Sequence, residues 1–480
     1  MVFNSLNFVA FFSSVFLLYW FAAKNIKLQN IVLLVSSYVF YAFWDWRFVS
    51  LLLFTSLFNF VLGYYMGKTN SPAVRKRFLH IGIIISIGLL VYFKYTNFFI
   101  ISFIEVLNKL HVSPDIHVIN IVLPLGISFF TFRNLAYLID INKGKIEPTT
   151  DWIAFFTFVA FFPSLISGPI DKAGLLIPQL EKKRVFNKEQ AIDGLRQILW
   201  GWFKKAVIAD NCAAITNYVF NHYHILPASS IAIALFFYAI QIYADFSGYS
   251  DIAIGVAHLL GINITRNFDF PFFAQNISEF WRKWHMSLTT WVTEYVFTPL
   301  SIAFRDYGKA GIILAILINF LLIGIWHGPN WTFVLFGLLH GCYYIPLIVR
   351  GRNISKKKKE TAGTSFTDIR NMLGTFLLVM FAFVLFRSDS VAQAFDIYKA
   401  LFSKSMFSKP VFEKSNFAFY TLLMICFFMT MEWIGRHGQH ALSAIGAKWP
   451  TPLRWSFYYV TVVIVFLFAA SNQQFIYFQF

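Results

Sequence analysis

Charge is scarce in this chain. Asp, Glu, Lys and Arg make up 13% of its 480 residues, against 58% hydrophobic and 20% aromatic side chains. At a mean hydropathy of +0.61 there is too little polar surface to cover a water-soluble fold of this size, so that class is excluded. Cysteine is almost missing. Cys212, Cys342 and Cys426 are far apart and lack metal-ligand spacing, which excludes a thiolate metal site and leaves small buried hydrophobes as the expectation. No basic residue precedes the first apolar run, because Lys24 and Lys27 follow it. Residues 1–23 therefore read as a first membrane span and not as a cleavable leader. Internal repeats, low-complexity tracts and a soluble domain are also absent, so a single membrane domain over 1–480 is expected.

Apolar length is what the chain has in abundance. Runs approaching the ~20 residues that cross a bilayer as a helix lie at 5–23, 31–44, 48–66, 79–93, 152–168, 195–220, 231–260, 311–327, 331–349, 371–386, 415–434 and 453–470. They predict an all-α polytopic membrane protein of about ten to twelve transmembrane helices. An open sheet is excluded because lipid cannot satisfy its edges. The 40 Lys and Arg outnumber the 23 Asp and Glu, and the excess sits in loops. Lys24 with Lys27, the group Lys68, Arg75, Lys76 and Arg77, "EKKRVFNKE" (181–189) and "RGRNISKKKKE" (350–360) are placed in the cytoplasm by the positive-inside rule. There they meet membrane lipids of negative charge; no nucleic-acid motif accompanies them. One loop breaks the pattern: 387–414 carries Arg387, Lys399, Lys404 and Lys409, yet the alternation of spans places it outside.

Three stretches put polar groups where water is scarce, which makes them functional candidates. In "GIWHGPNWTFVLFGLLHG" (324–341), one straight helix would hold His327 and His340 about 20 Å apart. Gly328 and Pro329 break that helix, so His327 is expected at a helix end or re-entrant bend and His340 about halfway down the next span. In "NISEFWRKWHMSLTTW" (276–291), Trp281, Trp284, Leu288 and Trp291 recur at spacings of three and four and form one helical stripe. Asn276 with Glu279 reads as its N-terminal cap. The plain reading of the stripe is an interfacial anchor, whereas His285 beside Arg282 and Lys283 suits an anionic ligand. In "QIYADFSGYSDIAIGVAHLLG" (241–261), Gln241 and Asp245, and Asp251 and His258, share helical faces. Carboxylates in such a run must find partners; Arg133, Lys204 and Lys205 are the candidates.

These stretches, with "LPLGISFFTFRNLAYLID", "FFPSLISGPI" and "FDFPFFAQ", resemble the membrane-bound O-acyltransferase (MBOAT) family, in its bacterial branch of polymer-modifying membrane subunits. The likeness runs through roughly residues 1–350, with core motifs over 121–350, and returns in the last six residues. It implies a ring of tilted helices around a thin centre, with an external funnel and a cytoplasmic passage. It also implies that an acyl group from a cytoplasmic thioester is handed outward to an extracytoplasmic, SGNH-type transferase that modifies a cell-envelope polymer. Acetyl-CoA is the expected donor substrate, with no tightly bound cofactor and no metal; a carrier-protein thioester is the alternative. The family's essential histidine falls on His327 and its second functional histidine on His285. Apolar burial would keep His327 neutral, so that it can accept a hydroxyl's proton as a general base. Arg282, Lys283, Lys204 and Lys205 are the expected contacts to the donor's phosphates, and His340 a packing histidine.

The tail "SNQQFIYFQF" (471–480) follows a span whose basic start, at Arg436, Lys448 and Arg454, places that start in the cytoplasm and the tail outside. Its plain reading is an aromatic interfacial anchor. Its likeness to the C-terminal motif of the small D-alanylation subunit implies instead that Tyr477 relays the acyl group. Two rivals come from other classes. A transporter would show repeated halves, and a haem carrier would use His327 and His340 as ligands.

Overall fold

The computed structural model describes residues 3, 5–112, 117–119, 121–351, 365–443, 445, 449–469, 473 and 475–476. Among them all regular structure is helical. The helices are α1 (Leu6–Phe21), α2 (Ile26–Asp45), α3 (Val49–Lys68), α4 (Pro72–Lys109), α5 (Ile127–Asn142), α6 (Trp152–Ala160), α7 (Phe162–Leu165), α8 (Ala173–Leu180), α9 (Lys188–Trp202), α10 (Asp210–Asn221) and α11 (Ala228–Leu259). They continue with α12 (Ile277–Lys283), α13 (Met286–Val292), α14 (Thr298–Ala303), α15 (Gly308–His327), α16 (Trp331–Val349), α17 (Phe366–Arg387), α18 (Val391–Leu401), α19 (Ser415–Gly435) and α20 (Thr451–Phe468). Nine stretches among the described residues are long and apolar enough to cross a membrane; one of them, Ile26–Lys68, holds both α2 and α3.

Two of the expected spans are not among the nine, for different reasons. The run 152–168 is interrupted at Phe161, and Pro163 lies in the first turn of the four-residue α7. The run 195–220 carries Lys204, Lys205 and Asp210, and between α9 and α10 it widens into a π-helix, Phe203–Ala209. Cys212 is buried as expected, whereas Cys342 and Cys426 are exposed.

The described chain groups into two compact units, residues 1–195 with 253–265, and 196–252 with 266–480. In the first, a break at membrane depth frees carbonyls that lipid cannot bond. Arg133, on α5 and fully buried, gathers them: its guanidinium donates to the carbonyls of Val159 (3.1 Å), Ser164 (2.7 Å) and Pro169 (3.2 Å). A planar group with five donors suits a broken segment.

The second unit carries the stretches 276–291 and 324–341 and the first part, 241–252, of the third. Its hairpin α15–α16 closes tightly because glycines face each other. A Cβ on Gly324 would meet the Phe333 carbonyl at 2.3 Å, and one on Gly337 the Phe320 carbonyl at 2.2 Å. Close backbone approach of this kind is how membrane helices pack. The turn between them opens α16 with an Asn330 cap, whose side chain accepts the Thr332 N–H at 3.0 Å.

Candidate active site

His285 is fully buried and does not lie on a continuous amphipathic helix. The helix breaks at it: α12 stops at Lys283, α13 starts at Met286, and His285 takes a left-handed backbone (φ 44°). A non-glycine residue there costs energy and persists only where its surroundings hold it. Asn267 supplies much of that hold. Its backbone carbonyl accepts Met286 N–H at 2.8 Å, and its side-chain oxygen meets Ser287 N–H (3.3 Å), Ser287 Oγ (3.0 Å) and His285 Nδ1 (3.0 Å). A backbone N–H can only donate, so the amide atom it meets is oxygen. That oxygen can only accept, so Nδ1 carries the hydrogen and, in the neutral ring, Nε2 carries the lone pair. Burial pushes the imidazole down to about 3, which keeps it neutral near pH 7.

The break also redirects the tryptophan stripe. Trp281, Trp284, Leu288 and Trp291 are all buried inside the unit and are not an interfacial anchor, which corrects the plain reading of the sequence. The cap at its start is as read: Asn276 accepts Glu279 N–H at 2.9 Å. Arg282 is exposed and donates to Ser278 at 3.0 Å. Lys283 is half-buried and pairs with Glu279 at 3.0 Å.

His327 is the last residue of α15 and is buried at 4% exposure, as the Gly-Pro break implied. Its ring packs on Phe386 (4.9 Å between centroids), Phe336 (5.8 Å) and Trp326 (5.1 Å). Trp326 also packs against His285, at 5.7 Å. The two histidines thus stand against one indole. His340, ten residues into α16, instead receives the Trp281 indole N–H on Nδ1 at 3.2 Å and packs on Phe336 and Trp281.

Lys204 and Lys205 are corrected. Both are buried and already neutralised. Lys204 bridges Asp251 (2.9 Å) and Glu432 (3.1 Å); Lys205 bridges Asp210 (2.7 Å) and Asp245 (2.8 Å). Gln197 donates to Asp251, and Trp200 and the Tyr243 hydroxyl donate to Glu432. Such ammoniums cannot also serve as an open phosphate surface, because a buried charge is tolerated by staying paired. The pairing of Asp245 and Asp251 with these lysines is the one weighed from sequence. The approach is made possible by glycine: a Cβ on Gly248 would lie 2.8 Å from the Gly201 carbonyl and 3.0 Å from Lys204 Cβ.

Two described residues of the tail lie in the same unit. Phe475 and Ile476 are buried, at 2% and 5% exposure, so Phe475 is not part of an interfacial anchor; Phe478 and Phe480 lie outside the described residues. The Phe475 ring packs against Tyr249 (4.9 Å) and edge-on to Phe246 (6.2 Å), and Phe246 lies edge-on to His285 (4.7 Å). Tyr477 lies outside the described residues. Asn267, Glu432 and Trp326 escaped sequence reading. Trp326 alone had a signal, as the neighbour of His327.

The model of the membrane-bound O-acyltransferase family, MBOAT, matches residues 147–384. The chain is 34% identical over 410 residues to the probable alginate O-acetylase AlgI of Pseudomonas aeruginosa, covering 84% of this chain and 75% of that protein. It is 30% identical to the peptidoglycan O-acetyltransferase of Helicobacter pylori, covering 95% and 93%. It is 28% identical to the teichoic acid D-alanyltransferase of Bacillus subtilis, covering 58% and 71%. Extent and identity together decide the question: this multi-pass membrane protein belongs to the membrane-bound O-acyltransferase family and is an O-acyltransferase.

Proposed function

We propose that the chain moves an acetyl group from cytoplasmic acetyl-CoA across the bacterial inner membrane for O-acetylation of a cell-envelope polysaccharide. Alginate, peptidoglycan or another exopolysaccharide is the acceptor, and an extracytoplasmic SGNH-type transferase completes delivery. The acetyl donor is preferred to a carrier-bound D-alanyl thioester because relatives named for O-acetylation match 84% and 95% of the chain, against 58% for the D-alanyl relative.

The observation that carries the reading is the pair of buried imidazoles packed against Trp326. His327 takes the proton of the attacking hydroxyl as its oxygen adds to the thioester carbon, forming a C–O bond. The tetrahedral adduct then expels the CoA thiolate by breaking the C–S bond, and the imidazolium returns the proton to sulfur. His285, whose Nδ1–H donates to Asn267 and so leaves the lone pair on Nε2, orients a hydroxyl or serves the second transfer. Tyr477 is the proposed first acceptor: its acetyl ester is a better donor than an alkyl ester, because phenoxide leaves more readily. Arg282 is the remaining candidate for the donor's phosphates.

The test uses the purified protein in proteoliposomes with its partner transferase and radiolabelled acetyl-CoA supplied on one side. Label should appear on protein, partner or polymer, and His327→Ala should abolish it. A folded protein that neither hydrolyses acetyl-CoA nor transfers label would sink the proposal.

A further inference from the structure

The buried lysine–carboxylate cluster has an occupant that its charges alone do not explain. Lys205 bonds Asp245 through Oδ1 and leaves Oδ2 to accept the backbone N–H of Ile476, at 2.7 Å. The same ammonium donates to the backbone carbonyl of Gln473, at 3.2 Å. Asn211, at the start of α10, donates to the carbonyl of Phe468 at 2.9 Å, at the end of α20. One carboxylate thus takes a peptide N–H, and one ammonium a peptide C=O three residues earlier. Between them the Phe475 ring is buried against Tyr249 and Phe246. All three contacts read main chain and none reads a polar side chain, while the aromatic slot reads one residue.

We infer that Lys205, Asp245 and Asn211 form a peptide-binding seat, occupied by the chain's own C-terminal segment, whose purpose is to hold that segment against the His285 cluster. The chemistry recognised is an uncharged peptide with an aromatic side chain between the two backbone contacts. A charged ion pair suits this task because its hydrogen bonds to main chain are stronger than neutral ones. It also keeps its shape when the segment is out of place, since Lys205 retains Asp210 and Asp245 as partners. The seat gives Lys205 and its partners Asp210 and Asp245 a use inside an apolar unit, where a phosphate contact was expected of the lysine. The role for acetyl transfer rests on the function proposed above; the seat itself does not.

Ile476→Pro tests it with little disturbance, because proline removes the one N–H that Asp245 accepts and leaves the cluster intact. The full chain carrying this change is prepared alongside the unchanged protein. A dye-labelled peptide of residues 471–480 is added to each, and binding is read by fluorescence anisotropy. The peptide should bind the variant and not the unchanged chain, whose seat is filled. A peptide with proline at the position of Ile476 should bind about 10- to 100-fold more weakly, the range for a hydrogen bond to a charged group. Equal binding of both peptides, or no difference between the two proteins, would overturn the seat. Lys205→Met is the second arm and should weaken peptide binding in the Ile476→Pro background, with thermal unfolding recorded to show a folded sample. Acetyl transfer is measured in parallel. If the peptide binds as expected and restores no activity lost in the variant, the seat stands and the acyl-relay reading fails.

Discussion

Two buried imidazoles in the second unit make an instructive contrast. His285 and His340 are both fully buried, both contact tryptophan, and both sit in stretches dominated by aromatic residues. His285 occupies a strained turn between two short helices, with Nδ1 donating to Asn267. His340 occupies the middle of a regular helix, with Nδ1 accepting from Trp281. A neutral imidazole has one N–H and one lone pair, so the two rings present opposite nitrogens. The second nitrogen of His285 can take a proton; that of His340 already carries one. Burial alone therefore does not distinguish the two rings. The partner on the other nitrogen does.

The largest effect that bears on this contrast belongs to His327, which shares Trp326 with His285. His327→Ala should lower acetyl transfer by about 10² to 10⁴, the usual contribution of a general base, with insertion and unfolding temperature close to normal. Next come the two compared rings themselves. His285→Ala should cost on the order of 10² in kcat, within the same range. His340→Ala should cost mainly stability, about 2–5 kcal/mol for a large side chain removed from a packed site, read by thermal unfolding in detergent at near-normal kcat. Equal kinetic losses in both variants at equal stability would break the comparison.

Much of this is legible in the amino-acid order itself. Apolar runs mark most of the helices because lipid demands them, and "WHGPN" places His327 at a helix end because glycine and proline stop helices whatever surrounds them. What stays hidden depends on contacts distant in sequence. Asn267 lies 18 residues before His285, in a loop with no periodicity to flag it. Glu432 is 228 residues from Lys204, which it meets at 3.1 Å. The tryptophan stripe misleads because period alone cannot distinguish a lipid interface from a protein interior. The same holds for Phe475, which is buried against Phe246 and Tyr249, far back in the chain.

Asn267 offers a sharper cut than removing either ring. Asn267→Leu takes away the acceptor, so His285 loses its fixed N–H and its lone pair is free to sit on either nitrogen. A loss of about tenfold in kcat is expected, of the size of one charge-free hydrogen bond. Asn267→Asp keeps an acceptor at the same place and adds a negative charge. That charge favours the imidazolium, raising the pH at which His285 becomes a neutral base. The acid limb of the pH–rate profile should therefore move to higher pH in the Asp variant and stay in place in the Leu variant. A residue that merely shaped the turn would lower the whole profile in both without moving the limb.

The smallest effect expected lies at the start of the His285 segment, where two neighbouring cations differ in what they already hold. Lys283 is half-buried and committed to Glu279 four residues earlier on the same helix. Pairs of this kind contribute a few tenths of a kcal/mol, and their charge is largely cancelled toward a third party. Arg282 is exposed, with a planar fork that can grip a phosphate through two parallel bonds. If the donor's phosphates meet this segment, Arg282→Met should raise the KM for acetyl-CoA by about three- to tenfold at constant kcat, the worth of one charge-assisted hydrogen bond at a wet surface. Lys283→Met should change it less than about twofold, as expected for a charge already screened. Because binding lost equally from ground and transition states changes KM and not kcat, a fall in kcat for Arg282→Met would mean that this arginine acts through the His285 turn and not on the donor. Equal KM shifts in both variants would show that the segment offers its summed charge, and that the geometry of the guanidinium adds nothing.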